Sequence, residues 1–251
     1  MLPYITVVSL ALPVPALTLL VGIWIGTALA EKNAHRHKIK AENLYNLVFT
    51  ALIAGIIGAR LSYVIRFPAA FITNPASLIS LNFGLFDLVG GVAIGLIAAA
   101  VYSQRRNMSP WPTLDALTPA FAVFAVAFSL SNLASGNAYG APTKLPWGID
   151  LWGAARHPTQ IYETLGAGLI LWYLWPGRLK GNLKPGIIFM QFVALSAISR
   201  LFFEAFRGDS LVTANNLRVA QIIAWMVLAL SLWGIFRLLW NQRPSIKNPV
   251  K

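Results

Sequence analysis

Seven stretches of this chain, at about 12–31, 43–65, 85–104, 112–134, 158–176, 185–205 and 217–240, are apolar over close to the length a bilayer demands. A helix needs roughly 20 residues to cross the hydrocarbon core, and only helices or closed barrels satisfy their backbone groups there. The runs lack the alternation of barrel strands. The sequence therefore predicts an all-α, polytopic membrane protein with about seven transmembrane helices. Composition agrees, because 57% hydrophobic and 11% charged residues leave too little polar cover for a soluble surface. No segment between the runs is long enough for a soluble domain, so residues 1–251 read as a single transmembrane domain.

Loop charges set an orientation. Taken alternately, the loops place 13 of the 20 basic residues on one side, among them Lys32, Arg36, Lys38, Lys40, Arg105, Arg106, Arg178, Lys180, Lys184, Arg237, Arg243, Lys247 and Lys251. Arg66, Lys144, Arg156, Arg207 and Arg218 fall on the other side, and Arg60 and Arg200 lie within runs. The positive-inside rule then predicts an outward N-terminus and a cytoplasmic C-terminus. The net charge of +12 is thus a topology signal, and no nucleic-acid partner is expected. Met1-Leu2-Pro3-Tyr4 lacks the basic start of a cleavable signal peptide, and the basic stretch after Ala28-Leu29-Ala30 suits a stop-transfer flank, so the first run reads as a retained helix.

The absence of cysteine excludes disulfides, thiolate nucleophiles and Cys-ligated metals. With three histidines and eight carboxylates, no metal site and no cofactor is expected. Gly22-x-x-x-Gly26 and Gly91-x-x-x-Gly95 read as close helix contacts. No internal repeat is visible, which argues against an inverted-repeat transporter.

Two outward loops are long enough to hold structure. The first, about 66–84 and running from Phe67-Pro68 to Asn82-Phe83-Gly84, is apolar and proline-punctuated, as expected of a segment lying on the membrane surface. The second, 135–157, is rich in Gly, Pro and Asn and carries Tyr139, Trp147 and Trp152, residues of an interfacial belt. Directly after it, Arg156-His157-Pro158-Thr159-Gln160-Ile161-Tyr162-Glu163 opens a run. Pro158 suits the first turn of a helix, which places Gln160 and Glu163 just inside it and His157 at its mouth. His157 reads either as an interfacial anchor or as a reactive group. Asp87 and Asp115, near helix starts, read as caps or first-turn acids.

Charges inside the membrane are the strongest functional signal. The second run holds Arg60, and Arg200, Glu204 and Arg207 share one helix face by their i, i+4, i+7 spacing. Arg200 and Glu204 can pair as a structural clamp. Two arginines against one acid leave net positive charge, however, and arginine grips phosphate through paired hydrogen bonds. An apolar cavity with such arginines suits a phospholipid headgroup. Asn132, late in the fourth run, is a further polar group placed to bond a ligand or a neighbouring helix.

The chain at this point resembles the prolipoprotein diacylglyceryl transferases. Arg156 to Glu163 is similar to that family's HPSQLYE signature, and Gly58-Ala59-Arg60-Leu61-Ser62-Tyr63 to its GGR-x-GY segment. Gly90-Gly91 matches its paired glycines, Asn132 to Gly140 its GN-FINGE-x-x-G stretch, and Arg200-x-x-x-Glu204-x-x-Arg207 its late R-x-x-x-E-x-x-R pattern. The resemblance implies a bacterial inner-membrane enzyme with its active site toward the outer leaflet. It would move the diacylglyceryl group of phosphatidylglycerol to the lipobox cysteine of a prolipoprotein, bound through its signal peptide, and release glycerol phosphate. It further implies His157, Arg200 and Glu204 as catalytic residues, with Arg60, Asn132, Gly140, Gln160, Tyr162, Glu163 and Arg207 binding substrate. The sequence departs from the family at Val89, where a histidine is expected, at Ser129, where an arginine is expected, and at Asn137, where a glutamate is expected. A first-span tyrosine aligns loosely with Pro15. The first two departures open an alternative: a divergent or silent relative that binds phospholipid.

Overall fold

The computed structural model describes residues 4–7, 10–79, 83–179 and 183–240, so Asn82, Lys180, Arg243, Lys247 and Lys251 of the sequence reading lie outside the described residues. The fold is all-α in character, with two short hairpins. Among the described residues, six helices are long and apolar enough to cross a membrane. They are α1 (Val14–Ala34, continuing as a tight turn to His37), α2 (Ala41–Arg66), α4 (Leu88–Arg105), α5 (Pro110–Ser135), α7 (Ile187–Glu204) and α8 (Val219–Trp240). The remaining expected span, 158–176, folds as α6 (Thr159–Tyr173), which is 15 residues long. At 1.5 Å per residue it reaches roughly 22 Å, short of a hydrocarbon core of about 30 Å. The chain is a multi-pass helical membrane protein.

Two compact units are present. One comprises residues up to Asn33 together with those from Leu114 onward; the other is Ala34–Thr113.

In the first unit, hairpin β1 (Tyr4–Val7) and β2 (Leu10–Pro13) leads into α1. Pro15 sits in the first helical turn, where its missing N–H is not needed. Gly22 and Gly26 face α5 as the spacing predicts: a Cβ on Gly26 would stand 3.0 Å from the Ala120 carbonyl oxygen, and one on Gly22 would collide with the Ala127 methyl. Pro119 lies inside α5 and has no N–H to return to the carbonyl of Asp115. Asn33 of α1 supplies the replacement, its Nδ2 donating to the Asp115 and Ala116 carbonyls at 3.4 Å each. At the other end of the same pair, Ser131 Oγ donates to the Pro15 carbonyl at 3.0 Å, so α1 and α5 run antiparallel.

Asp115 is a cap, as its sequence position suggested, but for a different helix. Its carboxylate, 1% exposed, accepts the N–H groups of Gly186 (2.6 Å) and Phe189 (2.8 Å) and so closes the start of α7. Lys184 closes the far end of α8 by donating to the Leu238 carbonyl at 2.8 Å. Helices α7 and α8 pack through buried Ala194, Ala197 and Leu228.

In the second unit α2 and α4 lie together on small residues. A Cβ on Gly95 would approach the Ala51 carbonyl oxygen to 2.9 Å, and one on Gly91 the Ala59 methyl to 2.7 Å. Asp87 caps α4, accepting Val89 N–H at 3.0 Å and Gly90 N–H at 3.4 Å, and receives the Ser62 hydroxyl at 3.0 Å. That hydroxyl holds the Asp87 carboxyl below its ordinary pKa, with smaller contributions from the capped amides and Arg66. Between α2 and α4 lie the short α3 (Pro68–Thr73) and tight turns at Pro75–Ile79 and Phe83–Leu85. Ile72 is 78% exposed there, as befits a segment with apolar side chains turned outward.

Candidate functional site

The polar residues of the first unit gather where the end of α5, the start of α6 and the end of α7 meet. The loop between α5 and α6 builds the framework. It turns through positive φ at Gly136 (79°), Ala138 (55°), Trp152 (54°) and Gly153 (76°), and contains the hairpin β3 (Ile149–Leu151) and β4 (Ala154–Arg156). The first two side chains of α6 clamp it. Thr159 donates its hydroxyl to the Ala138 carbonyl at 2.6 Å, and Gln160 its Nε2 to the Asn137 carbonyl at 2.8 Å. Both are fully buried. Arg156 ties the hairpin to the rest, donating to Leu151 O (2.9 Å) and Gly140 O (3.3 Å), with its guanidinium 4.9 Å over the Tyr139 ring.

Gly140 is the crossing point. A Cβ there would collide with the His157 carbonyl oxygen and lie 2.6 Å from His157 Cβ, while a Cβ on Gly208 would sit 2.6 Å from the Gly140 carbonyl oxygen. Gly140 also bridges Arg207 in strand fashion, and Ala141 N–H donates to Phe206 O at 2.8 Å. The loop therefore joins the start of α6 to the end of α7, and the absent side chain of Gly140 permits it. Asn132 occupies the last turns of α5, its carbonyl accepting the Gly136 N–H at 2.9 Å.

Inside this framework the charges form a closed network. Arg200 donates to Glu163 Oε1 (3.3 Å) and forms an ion pair with Glu204 Oε2, 2.9 Å from its other terminal nitrogen. Arg207 donates to the same Glu163 oxygen (3.2 Å), lies 3.7 Å from Glu204 Oε2, and takes Asp209 through two bonds of 2.9 and 2.8 Å. Arg218 secures the backbone beneath, bonding the carbonyls of Glu204 and Arg207 (2.9 Å for the latter) and the Ser210 hydroxyl at 3.1 Å. The sequence reading of two arginines against one acid thus needs revision. Glu163 arrives from α6 and Asp209 from beyond α7, so the arginines are offset by carboxylates.

The two arginines are not equivalent. The Arg207 side chain is 12% exposed and spends Nε–H and both terminal nitrogens on carboxylates. The Arg200 side chain is 39% exposed and commits one Nη1 N–H to Glu163, with Nη2 in ion-pair contact with Glu204, so Nε–H and further terminal N–H groups are left over. Arg200 and Glu163 line a cleft of about 170 Å³ together with Ala167, Phe192 and Ser199. Ser129 also lines it, buried, with its hydroxyl returned to the Ala125 carbonyl at 3.2 Å. A serine therefore stands where the resemblance expects a cation.

His157 packs against Phe206 (5.3 Å between centroids) and Tyr162 (6.2 Å). Its backbone N–H donates to Ala141 O at 3.1 Å, and its Nδ1 is buried without a hydrogen-bond partner among the described residues. The Tyr162 hydroxyl accepts the Trp147 indole N–H at 2.8 Å. Arg60 belongs to the other unit. It bonds the carbonyls of Ser77, Leu78 (3.2 Å) and Leu85 (2.9 Å), with Phe71 and Phe86 flanking its guanidinium at 5.6 and 5.1 Å. This intramembrane arginine thus pins the segment that connects α2 to α4. Val89, in the same unit, is 77% exposed.

Sequence reasoning had Glu163 and Arg207 but not their contact, and it missed Asp209 and Arg218. The signal for Asp209 was present in Arg207-Gly208-Asp209, where a glycine turn brings an acid back to an arginine two residues away.

The fold and site define a multi-pass helical membrane protein whose bundle carries an arginine–carboxylate network beside a small cleft at one end. The prolipoprotein diacylglyceryl transferase profile matches residues 4–237. Phosphatidylglycerol–prolipoprotein diacylglyceryl transferases of three bacteria are similar along most of their length. That of Thermosynechococcus vestitus is 28% identical over 91% of this chain and 89% of its own. That of Finegoldia magna is 31% identical (92% and 91%), and that of Clostridioides difficile 30% (81% and 81%). The chain belongs to the prolipoprotein diacylglyceryl transferase family.

Proposed function

We propose that this chain transfers the diacylglyceryl group of phosphatidylglycerol to the cysteine thiol of a bacterial prolipoprotein. The observation that carries the reading is Arg200: a guanidinium held from behind by two carboxylates, with N–H groups left over, at the wall of a cleft. Such a group is preorganised for a phosphate on which charge develops as it departs. The substrate sulfur, as thiolate, attacks the glycerol carbon. The carbon–oxygen bond to phosphate breaks, and glycerol phosphate leaves with the electron pair. The chain needs no cysteine of its own, because the nucleophile comes with the substrate.

Within this reading the thiol proton goes to His157, whose buried Nδ1 has no hydrogen-bond partner among the described residues. Glu204 and Glu163 fix the plane of Arg200. Arg207 holds those carboxylates in place, and Gln160, Tyr162, Asn132 and Gly140 shape the wall facing the signal peptide. The charge distribution of the loops supports a bacterial cytoplasmic membrane location with this end outward.

The test is incorporation of labelled phosphatidylglycerol into a prolipoprotein by the protein in liposomes, read as a mass increase of the acceptor. Arg200→Ala is expected to reduce the rate by about 100–1,000-fold, the usual effect of losing one such donor. His157→Ala should fall steeply with little change in lipid binding. Absence of any mass increase with the folded wild-type protein overturns the proposal.

A second reading rests on Ser129, a neutral residue in the cleft beside Arg200 and Glu163. Here the chain binds phospholipid without transferring it. Binding without turnover, together with turnover gained in Val89→His/Ser129→Arg, is the outcome that selects it.

A further inference from the structure

A second cavity lies in the same unit, away from the arginine network. It is about 330 Å³ and opens between α1, α5 and the end of α6, with Trp24, Ala28 and Lys32 on one face of α1, Val126 of α5, and Leu171 and Trp175 from α6 and its exit. Its position along the bundle follows from the bonds at the two ends of the α1–α5 pair. Ser131 meets Pro15 at the network end, whereas Asn33, next to Lys32, meets Asp115 and Ala116 at the other. The cavity exists because α6 stops early. Its start is fixed at the network by Thr159 and Gln160, and its length of roughly 22 Å is about 8 Å less than the thickness of a hydrocarbon core. The last turns of α1 are left with an apolar trough beside them that no helix of the same unit fills among the described residues.

Lys32 is the one charged residue among those described that lines this trough, and Trp175 lines it from the exit of α6. Lys32 is exposed and forms no ion pair among the described residues. Asp115, the nearest buried acid, is committed to the amides of Gly186 and Phe189. Glu31 is exposed, but lies about 100° round the helix from Lys32 and does not line the cavity. Trp175 is 46% exposed at the exit of α6, as suits an aromatic ring near headgroup depth, whereas Trp24, 73% exposed at the middle of α1, offers its ring to an acyl chain.

We propose that this trough is a binding site for one anionic phospholipid of the leaflet opposite the arginine network. An acyl chain lies along Ala28, Val126 and Leu171, and the phosphate rests against Lys32. The site is separate from the cleft at Arg200, and its occupant is bound rather than consumed. The lipid completes the wall that α6 is too short to build.

Native mass spectrometry of the whole protein in detergent, titrated with dioleoyl phosphatidylglycerol or with dioleoyl phosphatidylcholine, tests this. Wild type should take up one more tightly held phosphatidylglycerol than Lys32→Gln, whose affinity for that molecule is expected to fall about fivefold, the effect of one juxtamembrane cation. Ala28→Phe, which fills the trough, should remove the same adduct. Arg200→Gln should leave it in place while weakening any lipid held at the cleft. Unchanged melting temperatures in the Lys32 and Ala28 variants establish that the lost adduct is not lost fold. Equal uptake of both lipids, or Lys32→Gln and Ala28→Phe indistinguishable from wild type, means annular lipid only and overturns the proposal.

Discussion

Replacing Arg207 by glutamine tests the claim that the two arginines of the network do different work. Glu163 and Glu204 have side chains 13% and 1% exposed, and each lies near both Arg200 and Arg207. Removing Arg207 leaves two buried carboxylates sharing Arg200, which is itself 39% exposed and so partly screened by solvent. Breaking a buried ion pair by deleting one partner destabilises by about 3–5 kcal/mol. The lower end applies here, because Arg200 remains and the bonds lost to Asp209 involve a partly exposed acid. At about 2–4 °C per kcal/mol for a chain of this size, the melting temperature should fall by roughly 6–12 °C. Tryptophan fluorescence during heating of the detergent-solubilised protein reads this directly. Arg200→Gln, run in parallel, should move the melting temperature far less while abolishing most transfer. The division of roles is refuted by an Arg207→Gln protein that melts within about 2 °C of wild type, or by an Arg200→Gln protein destabilised as much as Arg207→Gln.

Asp115→Ala should destabilise through a helix it does not belong to. It strips the buried amides of Gly186 and Phe189 of their acceptor, at about 1–3 kcal/mol per unsatisfied group. Hydrogen exchange should quicken first in the opening turn of α7; exchange confined to α5 contradicts the cap. Asp87 gives an acid dependence with a defined sign. Because its folded pKa is lowered, chiefly by Ser62, it favours the fold above the ordinary aspartate value near about 3.9. That contribution is lost as pH falls through the lower folded value. Melting curves of wild type should therefore decline at acid pH more steeply than those of Asp87→Asn, and parallel curves exclude the effect.

Much of this molecule follows from local sequence. Apolar run length locates the helices because backbone groups in hydrocarbon have no water to turn to, and six of the runs appear as helices long enough to cross. The glycine spacings locate contacts because only a missing Cβ lets backbones approach so closely, as Gly26 and Gly95 do. The Arg200–Glu204 pair was legible from its helical spacing. Arg60 was legible as an intramembrane charge, but not as a donor to Ser77, Leu78 and Leu85, since those partners are backbone carbonyls with no side-chain signature.

What the tertiary structure decided is which charges meet. Glu163 stands 37 residues before Arg200 and 44 before Arg207, and Asp115 stands 71 before the amide it caps. Spacing along one helix constrains only residues on that helix, so no periodicity predicts such pairs. They form because bundle packing brings the start of α6 beside the end of α7, and because the low-dielectric interior penalises any charge left alone. The sequence by itself determined that this chain is a helical membrane protein with charges that need an explanation. Only the fold decided that Arg207 is enclosed among carboxylates while Arg200 keeps donors free at the cleft.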